Sequence, residues 1–381
     1  MLKIAFVIRN DGLTKGGGDI DQAKQFSALV AEGGGISTKV VRFIELNVAD
    51  FDIIVLFNID MPFENCLVAM ECVRLNIPYV IYTLHPKADH VEDFLRHGTI
   101  GAQHLAAMSA GYSLLNYETI ACIVRLAKNA RWRQLLFYRP ASFSARYVLQ
   151  HAAKVLVSCA GEAEYVRRDF ATDARFEVLP HLVDEKGLLN PTERLVRSGE
   201  SQIILCAGRI EPRKNQMAVV EVAKACPHNH FLFVGKKNMN HGRYVRNFEK
   251  AVAANANMEW RDQVTLVTLQ HLISTARAYI NLSWFEVFSL IDLMALTSGT
   301  PSVLSTGSYL YDEINSRGAF EGVEFVNPAD IAAASKTLTS LPRQAAIARS
   351  VIMDETWTEP AIRSKWFEIE SLARREKHHA A

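Results

Sequence analysis

Short apolar runs recur along this chain at spacings that leave room for one helix each, and that rhythm restricts the fold more than any single motif does. In the first half the runs are residues 3–8, 38–43, 52–57, 79–83, 154–158 and 176–179. In the second half they are 202–207, 230–234, 264–267, 278–282, 302–305 and 322–326. Runs this short, rich in Val and Ile, suit strands covered on both faces. Residues 20–32 have helical periodicity, with Ile20, Ala23, Phe26, Leu29 and Val30 on one side, and 64–75, 161–170 and 217–225 also read as helices. Asp19 is positioned to cap the first helix, and the glycines at 33–35 to end it. Strand, helix and strand in repetition predict an α/β fold of doubly wound parallel sheets.

At 381 residues the chain exceeds the ~250–300 at which one core stops growing, so two domains are expected. The polar stretch 184–201, with Gly and Pro, is the best linker and divides the chain into domains 1–183 and 184–354. Two sheets facing each other across it would put the default site in the cleft between them. A net charge of +1 excludes a bulk polyanion strategy, so no nucleic-acid partner is expected. The six cysteines form no C-x-x-C pair and read as reduced thiols of a cytoplasmic protein, not as a zinc set or a nucleophile. The N-terminus is charged too early for a signal peptide, and no apolar run approaches the ~18 residues of a membrane span.

The chemistry concentrates where strands end. Residues 203–216, I-I-L-C-A-G-R-I-E-P-R-K-N-Q, run from a buried strand through Gly208 into a loop carrying Arg209 and Lys214. Ligands of open α/β sheets sit outside the carboxyl ends of strands. An Arg fork and a Lys point charge there suit a diphosphate. Gly16, Gly17 and Gly18 stand where the first strand hands over to a helix, a place where backbone approaches a ligand closely. His85 closes the strand 79–83 at the same kind of edge. After the strand 278–282 come Trp284, Phe285, Glu286, Val287, Phe288, Ser289 and Leu290. Ser289 is a cap for a helix from Leu290, whose first N–H groups would offer a second phosphate seat. Glu286, a carboxylate among aromatics, reads as a ligand for a polyol or as a group with a shifted pKa. Residues 125–139 interleave Arg125, Lys128, Arg131, Arg133 and Arg139 with Trp132, Leu135, Leu136, Phe137 and Tyr138, a composition that suits an anionic bilayer surface or a packed helix pair with a basic face.

Together these residues resemble the retaining glycosyltransferases of family 4, with the GT-B fold, over nearly the whole chain. G-R-I-E-P-R-K-N at 208–215 is similar to that family's G-R-(hydrophobic)-x-x-x-K-(G/N), and S-W-F-E-V-F-S-L at 283–290 to its E-x7-E segment. Y-T-L-H-P at 82–86, V-S-C-A-G-E at 157–162, V-L-P-H-L-V-D at 178–184 and E-T-W-T at 355–358 resemble further family segments. The resemblance implies that Arg209 and Lys214 hold the donor diphosphate, that Gly208 and Val287–Leu290 line the donor site, and that Glu286 and His85 lie near the sugar. It places Gly16–Gly18 on the acceptor side and folds the closing helix, within 355–381, back onto the first domain. Four positions depart from the pattern. Met294 stands where the second glutamate, the ribose ligand, is expected; His181 replaces an Asn; Val287 and Ser289 replace glycines.

The expected activity is metal-independent transfer of a hexosyl group, with retention, from a nucleotide-diphospho-sugar to a glycan or lipid-linked acceptor in cell-surface polysaccharide biosynthesis. No cofactor and no metal are expected. Two rival readings keep the fold: a sugar-nucleotide epimerase, and a catalytically silent binding subunit, for which Met294 is the main support. Residues 125–139 are the expected contact with the inner face of the cytoplasmic membrane.

Overall fold

The computed structural model describes residues 1–15, 17–32, 34–128, 138–182, 188, 202–318, 321–343, 345 and 359–379. Gly16, the linker 184–201 apart from residue 188, residues 129–137 and the E-T-W-T segment lie outside them. The chain divides into two compact units, one of Met1–Ala88, Ile100–Leu182 and Glu355–Ala381, the other of Asp89–Thr99 and Val183–Asp354. The helix Ala88–His97 thus groups almost entirely with the second unit although it follows a strand of the first.

The first unit is a six-stranded parallel sheet in the order β2-β1-β3-β4-β5-β6. Its strands are β1 (Leu2–Ile8), β2 (Ile36–Arg42), β3 (Ile53–Phe57), β4 (Tyr79–Tyr82), β5 (Lys154–Val157) and β6 (Phe176–Val178). Every residue of β3 and β4 is buried, as strands with helices on both faces require. The helix Gly18–Ala31 begins at Gly17, not through Asp19. The Asp19 carboxylate is instead held by Arg9, Nε to Oδ2 3.0 Å, because an ion pair with a half-buried guanidinium outcompetes a cap bond. Gly17 has φ of 144°, and a Cβ there would lie 2.6 Å from Asp19 Oδ1 and 2.8 Å from Arg9 Nη2, so the ion pair occupies the space a side chain would take.

The C-terminal helix Glu359–His379 docks on this sheet. Trp366 is buried, its ring centroid 5.4 Å from those of both Phe6 and Phe26. Lys365 donates to the Val178 carbonyl, and Lys154 pairs with Glu368 at 3.1 Å.

The second unit is also a six-stranded parallel sheet, in the order β12-β11-β10-β7-β8-β9. Its strands are β7 (Ile203–Ala207), β8 (His230–Val234), β9 (Met258–Arg261), β10 (Ala278–Asn281), β11 (Ser302–Ser305) and β12 (Val323–Val326). The strand predicted at 264–267 is not one. Thr265 caps the helix Leu266–Thr275 by accepting from the Thr268 amide, so the apolar pair after it belongs to a first helical turn. The sheet's outer strand is β9, M-E-W-R, whose exposed edge tolerates charged residues and so lacks the apolar signature.

All six cysteines are free and buried. Burial raises the thiols of Cys66, Cys72, Cys122, Cys206 and Cys226, to about 12 for Cys72 and Cys206.

Trp366 bridges the closing helix and the first sheet, so Trp366→Ala should destabilise the first unit by about 3–5 kcal/mol, the range for emptying a large aromatic site. Denaturant melts read by near-ultraviolet circular dichroism measure it; a loss below about 1 kcal/mol would mean that the helix adds little to the core.

Candidate functional site

Strand order decides where each unit can hold a ligand. In the second sheet the chain builds outward from β7 through β8 to β9, then crosses to β10 and builds the other way. Strand order therefore reverses between β7 and β10, and that switch point at the carboxyl edge is where an open α/β sheet holds its ligand. Gly208–Asn215 and Ser283–Ser289 are the loops leaving those two strands.

The β7 loop is shaped by its own backbone. Gly208, φ 149°, follows the strand, and the aliphatic part of Lys214 passes over it at 3.6 Å from where a Cβ would stand. A 3₁₀ turn over Pro212–Lys214 then presents two adjacent cations. Asn215, φ 54°, ends the turn, and its side chain donates to the Pro328 carbonyl at 2.9 Å. The helix Gln216–Ala225 follows, and Gln216 returns a bond to the Arg209 carbonyl at 2.7 Å.

Glu286 lies buried opposite this turn. One carboxylate oxygen accepts from Lys214 Nζ and the other from Arg213 Nη1 at 3.1 Å. Burial alone would raise its pKa; the Lys214 and Arg213 charges overcome that and hold the carboxyl at about 2. Lys214 and Glu286, which the sequence singled out separately, are thus direct partners. Arg209 is not part of that contact. Its Nη2 reaches Glu211 Oε1 at 3.4 Å, and the same oxygen accepts from Arg213 Nη2 at 3.3 Å. Glu211 Oε2 accepts from Asn238 at 2.8 Å. Three cations therefore share two buried carboxylates, and the cluster carries a surplus positive charge. Sequence reasoning missed Arg213 and Glu211, although both lie inside the motif it used.

The rest of the β10 loop is fixed from below. Val287 accepts from the Tyr309 amide at 3.2 Å, and Phe288 is buried. Ser289 caps the helix Leu290–Thr297 as expected, accepting from the Asp292 amide. Asp292 is itself buried, and accepts from Tyr279 Oη at 2.9 Å, Asn281 Nδ2 at 2.8 Å and Ser289 Oγ at 2.8 Å. Burial and the nearby Glu286 push its pKa up to about 6. Met294 is buried within the same helix.

In the first unit the order reverses between β1 and β3, and Gly17 and Gly18 lie just beyond β1 there. His85 sits past the end of β4, fully buried. Nδ1 meets Asp60 Oδ1 at 2.9 Å and Nε2 meets Asp169 Oδ2 at 3.0 Å. Burial works against its charge, yet the two carboxylates push its pKa up to about 9, so the ring is an imidazolium donating from both nitrogens. The backbone beneath it is anchored by Glu162, buried and accepting from Thr83 Oγ1 and the His85 amide on one oxygen and from Ser158 twice on the other. His181 is also buried, and burial lowers its pKa to about 3. Arg125, 38% exposed, has acidic neighbours. It turns to Glu118 at 3.7 Å and Glu64 at 3.9 Å, because those half-buried carboxylates demand a counter-charge. Arg139 is exposed.

Two doubly wound parallel sheets in one chain, the second with a cationic loop at its switch point, define the class to which the solved structures also point. Sucrose-phosphate synthase (tll1590) from Thermosynechococcus elongatus matches with a TM-score of 0.70 at 13% identity, covering 100% of both chains. Anabaena Alr3699/HepE, solved in complex with UDP, matches at 0.64 and 12%, over 97% of this chain and 100% of that one. A glycosyltransferase from Rickettsia africae matches at 0.57 and 13%, over 98% of each. The fold is GT-B. Residues 192–352 match the family model described as Glycosyl transferases group 1. No curated protein matches by sequence.

His85 supplies a pH test. Its folded pKa lies above the ordinary 6.5, so its stabilisation is fully present below pH 6.5 and is lost as pH rises through 9. The first unit should lose on the order of 2–3 kcal/mol across that interval. Denaturant titrations from pH 6 to 10 measure it, and the slope should flatten in Asp60→Asn and Asp169→Asn. An equal slope in wild type and variants would detach His85 from this role.

Proposed function

We propose that the chain is a metal-independent retaining glycosyltransferase of family 4, moving a hexosyl group from a nucleotide-diphospho-sugar to a glycan or lipid-linked acceptor. The observation that carries this reading is the cation cluster of Arg209, Arg213 and Lys214 around Glu211 and Glu286 at the β7/β10 switch point. As the bond from the anomeric carbon to the phosphate oxygen breaks, charge grows on the departing diphosphate, and fixed cations in a half-buried site offset it without a metal. Glu286, ionised at any physiological pH, is an acceptor for sugar hydroxyls. Retention follows if the acceptor hydroxyl attacks from the leaving-group face and gives its proton to the departing phosphate. Alr3699/HepE was solved with UDP-glucose, which makes UDP-sugars the first donors to try.

A thermal-shift panel of UDP-, GDP-, ADP- and dTDP-glucose with the free nucleoside diphosphates identifies the donor, since binding to the folded state raises its apparent stability. With that donor, Arg209→Ala or Lys214→Ala should lower turnover at least ~100-fold, the scale of losing one preorganised charge. Arg209→Ala should change the melting temperature little, whereas Lys214→Ala leaves buried Glu286 with Arg213 alone and should lower it. Near-wild-type turnover in either variant would remove the diphosphate assignment. Glu286→Gln should impair turnover more than nucleoside-diphosphate binding, and an equal loss of both would move Glu286 away from the sugar.

One observation favours a second reading, a silent GT-B subunit: Met294 is buried where the resemblance places a ribose-binding glutamate. A wild-type chain that binds nucleoside diphosphate but neither transfers nor hydrolyses any donor would select it. The anionic surface, with an association on the inner face of the cytoplasmic membrane and a role in polysaccharide synthesis, rests on the composition of 125–139. Arg125 also pairs with Glu64 and Glu118. Liposome co-sedimentation should require anionic lipid, weaken with salt and drop when Arg131 and Arg133 become Glu; salt-insensitive binding, or none, would point to a soluble acceptor.

A further inference from the structure

We infer that Arg213 is the positioning residue that keeps Glu286 in place when Lys214 turns to the donor's diphosphate, an inference that rests on the glycosyltransferase reading above. Lys214 now spends its ammonium on Glu286. The same ammonium is the cation assigned to the diphosphate, and a doubly charged phosphate competes with a single carboxylate for it. Donor binding therefore takes one of the two charged partners of Glu286 away.

Arg213 is built so that it does not follow. Its Nη1 bonds Glu286 Oε2 at 3.1 Å and the Phe285 carbonyl at 3.2 Å. Its Nη2 bonds Glu211 Oε1 at 3.3 Å, and Glu211 is itself buried and tied to Asn238. The guanidinium carbon lies 5.4 Å from the Phe285 ring centroid, a cation–π distance. The main chain is joined as well, because the Arg213 carbonyl accepts from the Trp284 amide at 2.9 Å. One residue of the β7 loop thus grips three consecutive residues of the β10 loop. A planar fork with donors on both ends makes these contacts together; a single ammonium holds Glu286 or Glu211 but not both. Arg209 and Lys214 remain for the phosphates, so Arg213 acts on the sugar end of the site and not on nucleotide affinity.

The test separates those two ends. With the donor found by thermal shift, turnover is followed as release of nucleoside diphosphate, and affinity for free nucleoside diphosphate is measured by calorimetry. Arg213→Ala should lower kcat about 100-fold, the scale of one lost preorganised contact, while nucleoside-diphosphate Kd stays within about 3-fold. Arg213→Lys should recover part of kcat. If Arg213→Ala does not fold, Arg213→Lys carries the test by itself, with kcat at least ~10-fold down and Kd held. A kcat close to wild type in the folded variants overturns the inference, and so does a parallel loss of Kd, which would make Arg213 a phosphate ligand. A wild-type chain that binds and turns over no nucleotide sugar instead overturns the underlying reading.

Discussion

A parallel sheet delivers every strand's carboxyl end to the same edge, and both units of this protein depend on that constraint. Helices cover the two faces of each sheet, so β3, β4 and the inner part of β7 are apolar throughout, and polar side chains are displaced to the strand ends. Loops usually fold back over their own strand. Between β7 and β10 the strand order reverses, and the loops leaving the two strands are joined through Arg213 and Glu286. Glu211 and Glu286 are buried there, and Arg209, Arg213 and Lys214 keep partial exposure. Glu286 and Lys214 come from loops that are neighbours only because β7 and β10 pair.

The strands and helices were legible wherever burial was complete on both faces. The pattern failed at the sheet's margin. β9 sits on the outside of the second sheet, and M-E-W-R carries two charged residues that an inner strand could not accept. The nearby run at 264–267 offered a stronger apolar signal and belonged to a helix, because Thr265 supplies a cap and four residues are too few to show a period. Asp19 had the right position to cap but a better partner in Arg9, a residue ten positions earlier whose direction no local pattern reveals.

Residue types at the site were legible as well, while their pairings were not. Arg209, Lys214 and Glu286 stand out by spacing and charge. Whether Arg209 or Arg213 meets Glu286 depends on the 3₁₀ turn at Pro212–Lys214, which swings two adjacent cations to one carboxylate and leaves Arg209 with Glu211. His85 shows the same limit over longer range. Its partners lie 25 and 84 positions away in the chain, and only the strand order brings them to either side of the ring. Arg125 reads as a surface cation from its neighbours in sequence, and its ion pair with Glu64, 61 positions earlier, is visible only in the fold.

The buried thiols carry a practical consequence. Every native cysteine is sequestered in the core, and burial holds most of the sulfhydryls protonated far above neutral pH. Alkylating reagents attack thiolates, so the folded protein is close to inert toward maleimides as it stands. Met239 is highly exposed, next to Asn238, which anchors Glu211. A cysteine introduced there would be the one reactive sulfur on the molecule. A single fluorophore could then be attached beside the cationic loop with no native cysteine removed, and its emission would follow that loop in real time.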